Sequence, residues 1–161
     1  MEIGATKAVQ ERLKTTKIDE IKGASLVFCW DTHLTKIKGR NVLFIVNASN
    51  RYTIAMTDIE PRNWNYYTMY IGRVIHGVMQ QMGYSESQID QYFQMSGDMS
   101  VTKTHGKKSV GGINRMITDA QYFDKKLEKD TKYQWELSEY LNRDICQPEG
   151  FDAYGYPSEL F

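Results

Sequence analysis

The stretch KTHGKKSVGGIN, Lys103 to Asn114, combines residue types that could hold an anion. Lys103, Lys107 and Lys108 bring positive charge close to the predicted start of a helix, and Ser109 is placed to cap that helix. The first N–H groups of a helix lack partners within it, so they can donate to a phosphate or a carboxylate. The GxxxxGK[ST] spacing of a phosphate-binding loop is absent, so a solvated basic turn with an ordinary serine cap explains the same residues.

A second polar group lies in WDTH, where Asp31 and His33 stand two residues apart on a predicted strand. Residues at that spacing project from the same face of a sheet. The carboxylate could orient and charge the imidazole for acid/base catalysis, or it could only satisfy a half-buried histidine. His105 could assist the pair in hydrolysing a phosphoester. The same three side chains could ligate a metal, but no close-spaced motif such as HExxH exists, and we predict neither a metal nor a cofactor.

Basic and polar residues at the turns of the predicted sheet extend the candidate anion site. Hairpin geometry would bring Asn47 and Arg51 near the same sheet as the end of the first predicted strand and the basic turn KIKGRN. The predicted ligand-binding residues are Arg40, Asn47, Arg51, Lys103, Thr104, Lys107, Lys108, Ser109 and Asn114.

The elements that must position these residues are a mixture of helices and strands. TKAVQERLKTT has apolar residues at helical spacing and predicts a short helix. SLVFCWDTHL, NVLFIVNA and YTIAMT are β-prone runs separated by turn residues, so residues 25–57 predict a three-stranded antiparallel meander, with NVLFIVNA as a central strand. MSVTKT alternates and predicts a fourth strand or an extended segment.

Helical patterns fill most of the remaining chain. An apolar stripe, with Asp58 as a possible cap and Pro61 in the first turn, predicts a helix that runs to about Gln81. Ser85 with Gln88 predicts a capped helix through about Phe93. SVGGINRMITDAQYF and DKKLEKDTKYQWELSEYLNRDI predict two further helices. We therefore expect an α+β fold: a small antiparallel sheet of three to four strands packed against several helices, in a single domain over residues 1–161. The aromatic C-terminal segment, residues 147–161, is expected to dock on the domain or on a partner.

Composition limits the function classes. The chain has 161 residues with 20 basic and 20 acidic side chains, so its net charge of zero disfavours a protein that coats DNA and allows only a limited basic patch. No apolar stretch approaches the roughly 18 residues of a membrane span, and the first residues lack a secretory signal pattern. Cys29 and Cys146 give neither a metal spacing nor a disulfide framework. These features predict a cytoplasmic protein.

Three separated blocks of this sequence resemble a bacterial family catalogued as a domain of unknown function. Its members look like W-H-A-N, then R-K-x-x-x-F-V-N-D-x-[ST]-R-Y, then K-T-x-x-R-S-V-x-G-x-x-N, and the likeness covers about residues 5–120. WDTH departs from the Trp-His pair, and lysines stand where an arginine is expected. The resemblance implies a bacterial or phage-borne cytoplasmic protein and brings no activity. The matching positions are Trp30, Phe44, Asn47, Arg51, Lys103, Thr104, Ser109, Val110, Gly112 and Asn114.

Three functions remain open from the sequence. The leading hypothesis is a non-enzymatic module that binds a phosphate-bearing or acidic partner, which could be nucleic acid, a nucleotide or an acidic protein surface. A phage or mobile-element protein that inhibits a host nucleic-acid system would fit the same features. The first alternative is a phosphoester hydrolase that uses Asp31, His33 and His105. The second is a structural protein that forms a homodimer through its aromatic tail, residues 151–161.

Overall fold

A five-stranded sheet forms the centre of the protein in the computed structural model, which describes residues 1–14 and 18–161. The strands are β1 (Glu2–Ala5), β2 (Cys29–Ile37), β3 (Arg40–Asn47), β4 (Thr53–Thr57) and β5 (Ser100–Thr102). They lie in the order β4-β3-β2-β1-β5. The helices are α1 (Lys7–Leu13), α2 (Pro61–Asn65), α3 (Tyr67–Gln81), α4 (Glu86–Ser96), α5 (Gly106–Tyr122), α6 (Trp135–Asn142) and α7 (Pro157–Leu160), and a 3-10 turn (Leu26–Phe28) precedes β2.

The predicted α+β class is confirmed, but the sheet is larger than predicted and is mixed. The antiparallel meander over residues 25–57 is present as β2, β3 and β4. β1, which the sequence pattern did not predict, pairs in parallel with both β2 and β5. Four residues that include a glycine are too short a pattern to predict a strand from periodicity. β1 thereby joins the meander to β5 and makes one sheet of them.

Apolar cores cover both faces of the sheet. Ile45 of β3 belongs to the core under α1, α3 and α4, together with Trp30 and Ile75. Phe44 of β3 belongs to the other core, together with Ile113 of α5. β3 is therefore buried on both sides, which explains why its sequence is almost continuously apolar.

The helices mostly follow the predicted pattern. α1 confirms the predicted short helix, whose last predicted turn extends to residues 15–17, outside the described residues. The helix predicted to run from an Asp58 cap to about Gln81 begins after Glu60 instead, and it is divided into α2 and α3 at Tyr66, where φ is −118° and ψ is 44°. The capping box of Ser85 and Gln88 at the start of α4 is confirmed. In the part of the chain that the structure describes, no helix is both long and apolar enough to cross a membrane.

The long helix predicted over DKKLEKDTKYQWELSEYLNRDI is wrong in its first half, because only α6 is helical. The Thr57 N–H donates to Lys132 O at 2.7 Å, and the Gln134 N–H donates to Ala55 O at 2.9 Å. This segment therefore runs beside β4, which lies at the edge of the sheet. An edge strand leaves backbone groups without partners, and the segment satisfies them, which a continuous helix could not do.

The C-terminal segment packs on the rest of the chain. Cys146 and Gly155 exchange two backbone hydrogen bonds, of 3.0 and 2.8 Å. Phe161 packs its ring on Trp30 and Tyr52, with centroid distances of 5.7 and 4.6 Å.

Candidate functional site

The start of α5 covers a group of polar residues on one face of β1 and β2. Glu2 stands opposite Cys29 and Gly4 opposite Asp31 in the parallel ladder between these strands. Side chains alternate along a strand, so Glu2, Cys29 and Asp31 share one face, while Trp30 points into the core on the other. All three are buried, with exposures of 2%, 0% and 0%.

His105, the residue immediately before α5, lies between two carboxylates of this group. Its Nδ1 is 2.7 Å from Asp31 Oδ1, and its Nε2 is 3.1 Å from Glu2 Oε2. The His105 side chain is only 4% exposed. We name Glu2, Cys29, Asp31, His105 and Ser109 the buried polar cluster.

The start of α5 does hold an anion, and that anion is the carboxylate of Asp31. The backbone N–H of His105 lies 3.2 Å from both Asp31 oxygens, and the Ser109 hydroxyl donates to Asp31 Oδ2. The prediction of Ser109 as the cap is therefore wrong, because α5 begins at Gly106 and Ser109 lies inside its first turns. α5 begins earlier in the sequence than predicted, because the carboxylate oxygens of Asp31 accept hydrogen bonds at this position. Ser109 faces the interior and is not available to a ligand from solvent.

Electrostatics keep His105 charged. Burial disfavours the imidazolium, but the hydrogen bonds and negative charges of Asp31 and Cys29 outweigh burial and raise the pKa of His105 to about 10. Burial likewise disfavours the Glu2 carboxylate, but hydrogen bonds from the Ala24 N–H, from His105 and from the Lys22 N–H lower its pKa. At neutral pH the imidazolium donates from both ring nitrogens, so it has no lone pair with which to accept a proton.

Gly4 makes the close approach of Asp31 feasible. A Cβ at this position would lie 1.8 Å from Asp31 Oδ1 and 3.0 Å from the Thr104 Cα. A side chain at residue 4 would therefore occupy the place of the carboxylate.

His33, the predicted partner of Asp31, lies apart from the buried polar cluster. Its Nδ1 is 3.2 Å from the Thr6 hydroxyl, and burial lowers its pKa. Asp31 instead contacts His105, which is 74 residues away in sequence. Of the three predicted catalytic residues, the structure joins Asp31 and His105 and leaves His33 with Thr6.

The predicted ligand-binding residues of the sheet are separated. Arg40 lies at the start of β3, where its guanidinium contacts Asp58 and Glu128 O, far along the strand from Asn47. Asn47 is buried and holds the turn after β3, because its side-chain oxygen accepts from the Ser49 N–H at 2.9 Å. Neither residue is placed to share a ligand with the start of α5.

Arg51 does reach α5. It has a positive φ of 64°, and its guanidinium covers Gly112, where a Cβ would lie 1.3 Å from the Arg51 Nη2. It also lies beside the thiol of Cys146, whose pKa burial raises and Arg51 partly restores. The two polar blocks of the sequence thus meet, through Asp31 with His105 and through Arg51 with Gly112. Asn114, two residues on, is exposed on α5.

The remaining lysines of the predicted site cluster at the exposed start of α5. Lys103, Lys107 and Lys108 are exposed, and Thr104 is half-buried. Lys108 Nζ lies 3.4 Å from Pro148 O, so it contacts the C-terminal segment. The structure adds Lys7, an exposed residue at the start of α1.

Sequence reasoning missed Glu2, Gly4, Cys29 and Lys7 as members of these groups. The signal was weak, because it depends on a strand of four residues that periodicity does not detect. Glutamate is almost always exposed unless it is paired, so MEIGA gave no signal of a buried acid.

Comparison with known proteins gives a family without a function. The family model of the domain of unknown function DUF6933 matches residues 2–160, which confirms the resemblance to a domain of unknown function. No curated protein and no solved structure matches the chain.

Proposed function

Because the chain belongs to the DUF6933 family, whose description assigns no activity, we propose a function from its own geometry: a non-enzymatic module that binds a phosphate-bearing ligand. The ligand lies at the carboxyl ends of β1 and β5. The observation that carries the proposal is the position of three exposed lysines there. Lys7 follows β1, and Lys103 and Lys107 follow β5. We name these three residues the edge lysines.

The register of the sheet brings the edge lysines to one side of the molecule. β1 and β5 are parallel neighbours, with Gly4 opposite Thr102, so the residues after both strands leave the sheet at the same edge. α1 then packs on one face of the sheet through Val9, and α5 packs on the other through Ile113. Where neighbouring parallel strands send their helices to opposite faces, a crevice opens outside the strand ends, and open α/β sheets bind ligands there.

The charge of the edge lysines is not neutralised by an ion pair in residues 1–14 and 18–161. No ion pair of these three ammonium groups is present among the described residues, whereas Arg40, Arg115 and Arg143 each pair with a carboxylate. Asp31 accepts from the backbone N–H of His105 at the start of α5, and the side chains of the edge lysines would provide the contacts to the ligand. Such contacts hold phosphates by charge and read little sequence.

The hydrolase alternative has less support from the geometry. His105 is buried with both ring nitrogens donating, and His33 is separated from Asp31. The expectations of a bacterial or phage origin, of an inhibitor of a host nucleic-acid system and of a homodimer stay predictions.

Nucleic acid is the first ligand to test, because it carries phosphates at regular spacing. We expect labelled single- or double-stranded DNA or RNA to bind in fluorescence anisotropy at low salt, and to bind more weakly as salt rises. The K7A/K103A/K107A variant should lose at least about tenfold in affinity. Because each phosphate contact contributes about 0.7–0.9 to the slope of log K against log salt, the loss of three contacts should reduce the magnitude of the slope by about 2–3.

A second triple variant tests whether binding depends on the position of the lysines or only on the total charge of the protein. K125A/K126A/K129A also removes three positive charges, but from just beyond the far end of α5. This helix has 17 residues and is therefore about 26 Å long. It should bind as the unchanged protein does. Equal loss in both variants, or no binding to any nucleic acid or nucleotide at low salt, would contradict the proposal and direct the search to acidic protein partners.

A further inference from the structure

We propose that Glu2, Cys29 and His105 bind a divalent metal ion of the zinc type, and that Asp31 orients His105 towards it. One carboxylate oxygen, the thiol sulfur and one imidazole nitrogen of these residues lie within 4.8 Å of one another, and all three residues are buried. This set differs from the Asp31, His33 and His105 that the sequence suggested. It is independent of the edge lysines.

The three donors come from elements that the fold holds firmly together. Glu2 and Cys29 are register partners in adjacent parallel strands, so their side chains leave the same face side by side. His105 is positioned over them because β5 pairs with the other side of β1 and His105 ends the short connection, residues 103–105, from β5 to α5. Backbone pairing thus places Glu2 and Cys29, and contacts with Asp31 and Glu2 hold the His105 ring.

The distance between the His105 and Glu2 donors suits a small ion after a slight adjustment, and the Cys29 sulfur lies within 4.8 Å of both. Zinc lies about 2.0–2.3 Å from nitrogen, oxygen and sulfur ligands in tetrahedral geometry, so donor atoms around it are roughly 3.3–3.8 Å apart. The distance between His105 Nε2 and Glu2 Oε2 is 3.1 Å. An ion between these atoms would replace that hydrogen bond and move them apart by about 0.2–0.4 Å, because zinc binds nitrogen and oxygen at the short end of that range.

The polar atoms of Glu2 and His105 that would not contact the ion form hydrogen bonds with neighbouring groups. Glu2 Oε1 accepts from the N–H groups of Lys22 and Ala24, at 2.9 and 3.2 Å, which leaves Oε2 directed at His105. His105 Nδ1 donates to Asp31, the arrangement in which metal-ligating histidines are usually found.

The donor types select the metal. A thiolate with an imidazole and one carboxylate favours zinc and disfavours magnesium and calcium, which take oxygen ligands. Zinc would bind the unprotonated Nε2 of His105 and the thiolate of Cys29.

Cobalt provides a direct test, because a cobalt–thiolate bond gives a charge-transfer absorption band. Chelator-treated protein should bind about one equivalent of Co²⁺ with this band, zinc should displace it, and the bound metal should raise Tm. Cys29→Ser should abolish the band. Cys146→Ser, which changes the other buried thiol, should leave it unchanged.

Two further variants keep the test decisive if Cys29→Ser folds poorly. Glu2→Gln keeps an oxygen for the Lys22 and Ala24 N–H groups and should weaken Co²⁺ binding at least about tenfold. Asp31→Asn should weaken it about 10–100-fold while the thiolate band persists, as expected for a positioning residue. Absence of a cobalt band in the unchanged protein, or its loss in Cys146→Ser alone, would overturn the proposal and leave the cluster as a network of buried ion pairs.

Discussion

Gly4 is the residue on which the buried polar cluster depends most directly. Gly4→Ala would place a Cβ 1.8 Å from an oxygen of Asp31, a carboxylate that is fully buried and held by His105 and Ser109. Alanine should otherwise be favoured over glycine in a strand by about 0.5–1 kcal/mol. We expect overpacking to dominate and the free energy of unfolding to fall by about 1–3 kcal/mol in urea denaturation.

A second glycine provides the control for that measurement. Gly77 in α3 has no heavy atom within 4 Å of the position that a Cβ would take, and its φ is not positive. Gly77→Ala should therefore stabilise the protein by up to about 1 kcal/mol. If Gly4→Ala proved as stable as Gly77→Ala, the carboxylate of Asp31 would not occupy the position described.

The candidate site was only partly predictable at the scale of residues. Asp31, His105 and Ser109 have chemistry that the sequence displays, but the contacts among them join residues 74 and 78 apart. Local spacing favoured His33 as the partner of Asp31. A sequence shows which residues are close along the chain, and two residues apart on a strand lie on the same face. His105, the partner that the structure shows, reaches Asp31 because β1 pairs in parallel with β5, which brings the start of α5 over β2.

The N-terminal half of α5 contains adjacent glycines that have opposite surroundings. Gly111 faces open space, whereas a Cβ at Gly112 would lie 1.3 Å from the Arg51 guanidinium. Gly111→Ala should raise the free energy of unfolding by about 1 kcal/mol, the propensity difference in a helix. Gly112→Ala gains the same propensity but displaces Arg51, so we expect it to be less stable than Gly111→Ala by at least about 1 kcal/mol.

Arg51→Ala identifies the cause of that difference. In this background the side chain that opposes a Cβ at Gly112 is gone, so the two alanine variants should become equally stable in the same denaturation experiment. Residues in contact commonly couple by about 0.5–3 kcal/mol, which a double-mutant cycle resolves. A difference that persists without Arg51 would contradict the packing of its guanidinium on α5.

Helices and strands were predictable from the sequence where their pattern was long and did not depend on pairing with another part of the chain. β3 alternates between two cores and α4 carries a complete capping box, and both followed from the sequence. The first half of the predicted final helix is not helical, because its backbone groups form hydrogen bonds with Thr57 and Ala55 of the edge strand β4. Charge pairs at helical spacing, worth about 0.2–0.5 kcal/mol each, do not outweigh backbone hydrogen bonds to a sheet edge.

At the scale of the whole molecule, the C-terminal segment closes the core on the α3 side of the sheet. Phe161 packs on Trp30, Tyr52 and Tyr84, with ring centroids 5.7, 4.6 and 6.1 Å away. The Tyr84 hydroxyl donates to Phe161 O at 2.9 Å, which fixes the segment in place. These contacts join the residue to β2, to the turn before β4 and to the end of α3.

Phe161→Ala should therefore destabilise the protein without changing its mass in solution. We expect a loss of about 2–3 kcal/mol in urea denaturation, below the ~3–5 kcal/mol of a fully buried phenylalanine because Phe161 is half-buried. Tryptophan emission should shift to the red as Trp30 loses its cover, whereas Tyr154→Ala, at a side chain 71% exposed, should change neither quantity. Light scattering distinguishes the homodimer hypothesis: a dimer that becomes a monomer in Phe161→Ala would show that the aromatic tail serves an interface between two copies, and an unchanged mass with lower stability would show that it serves its own core.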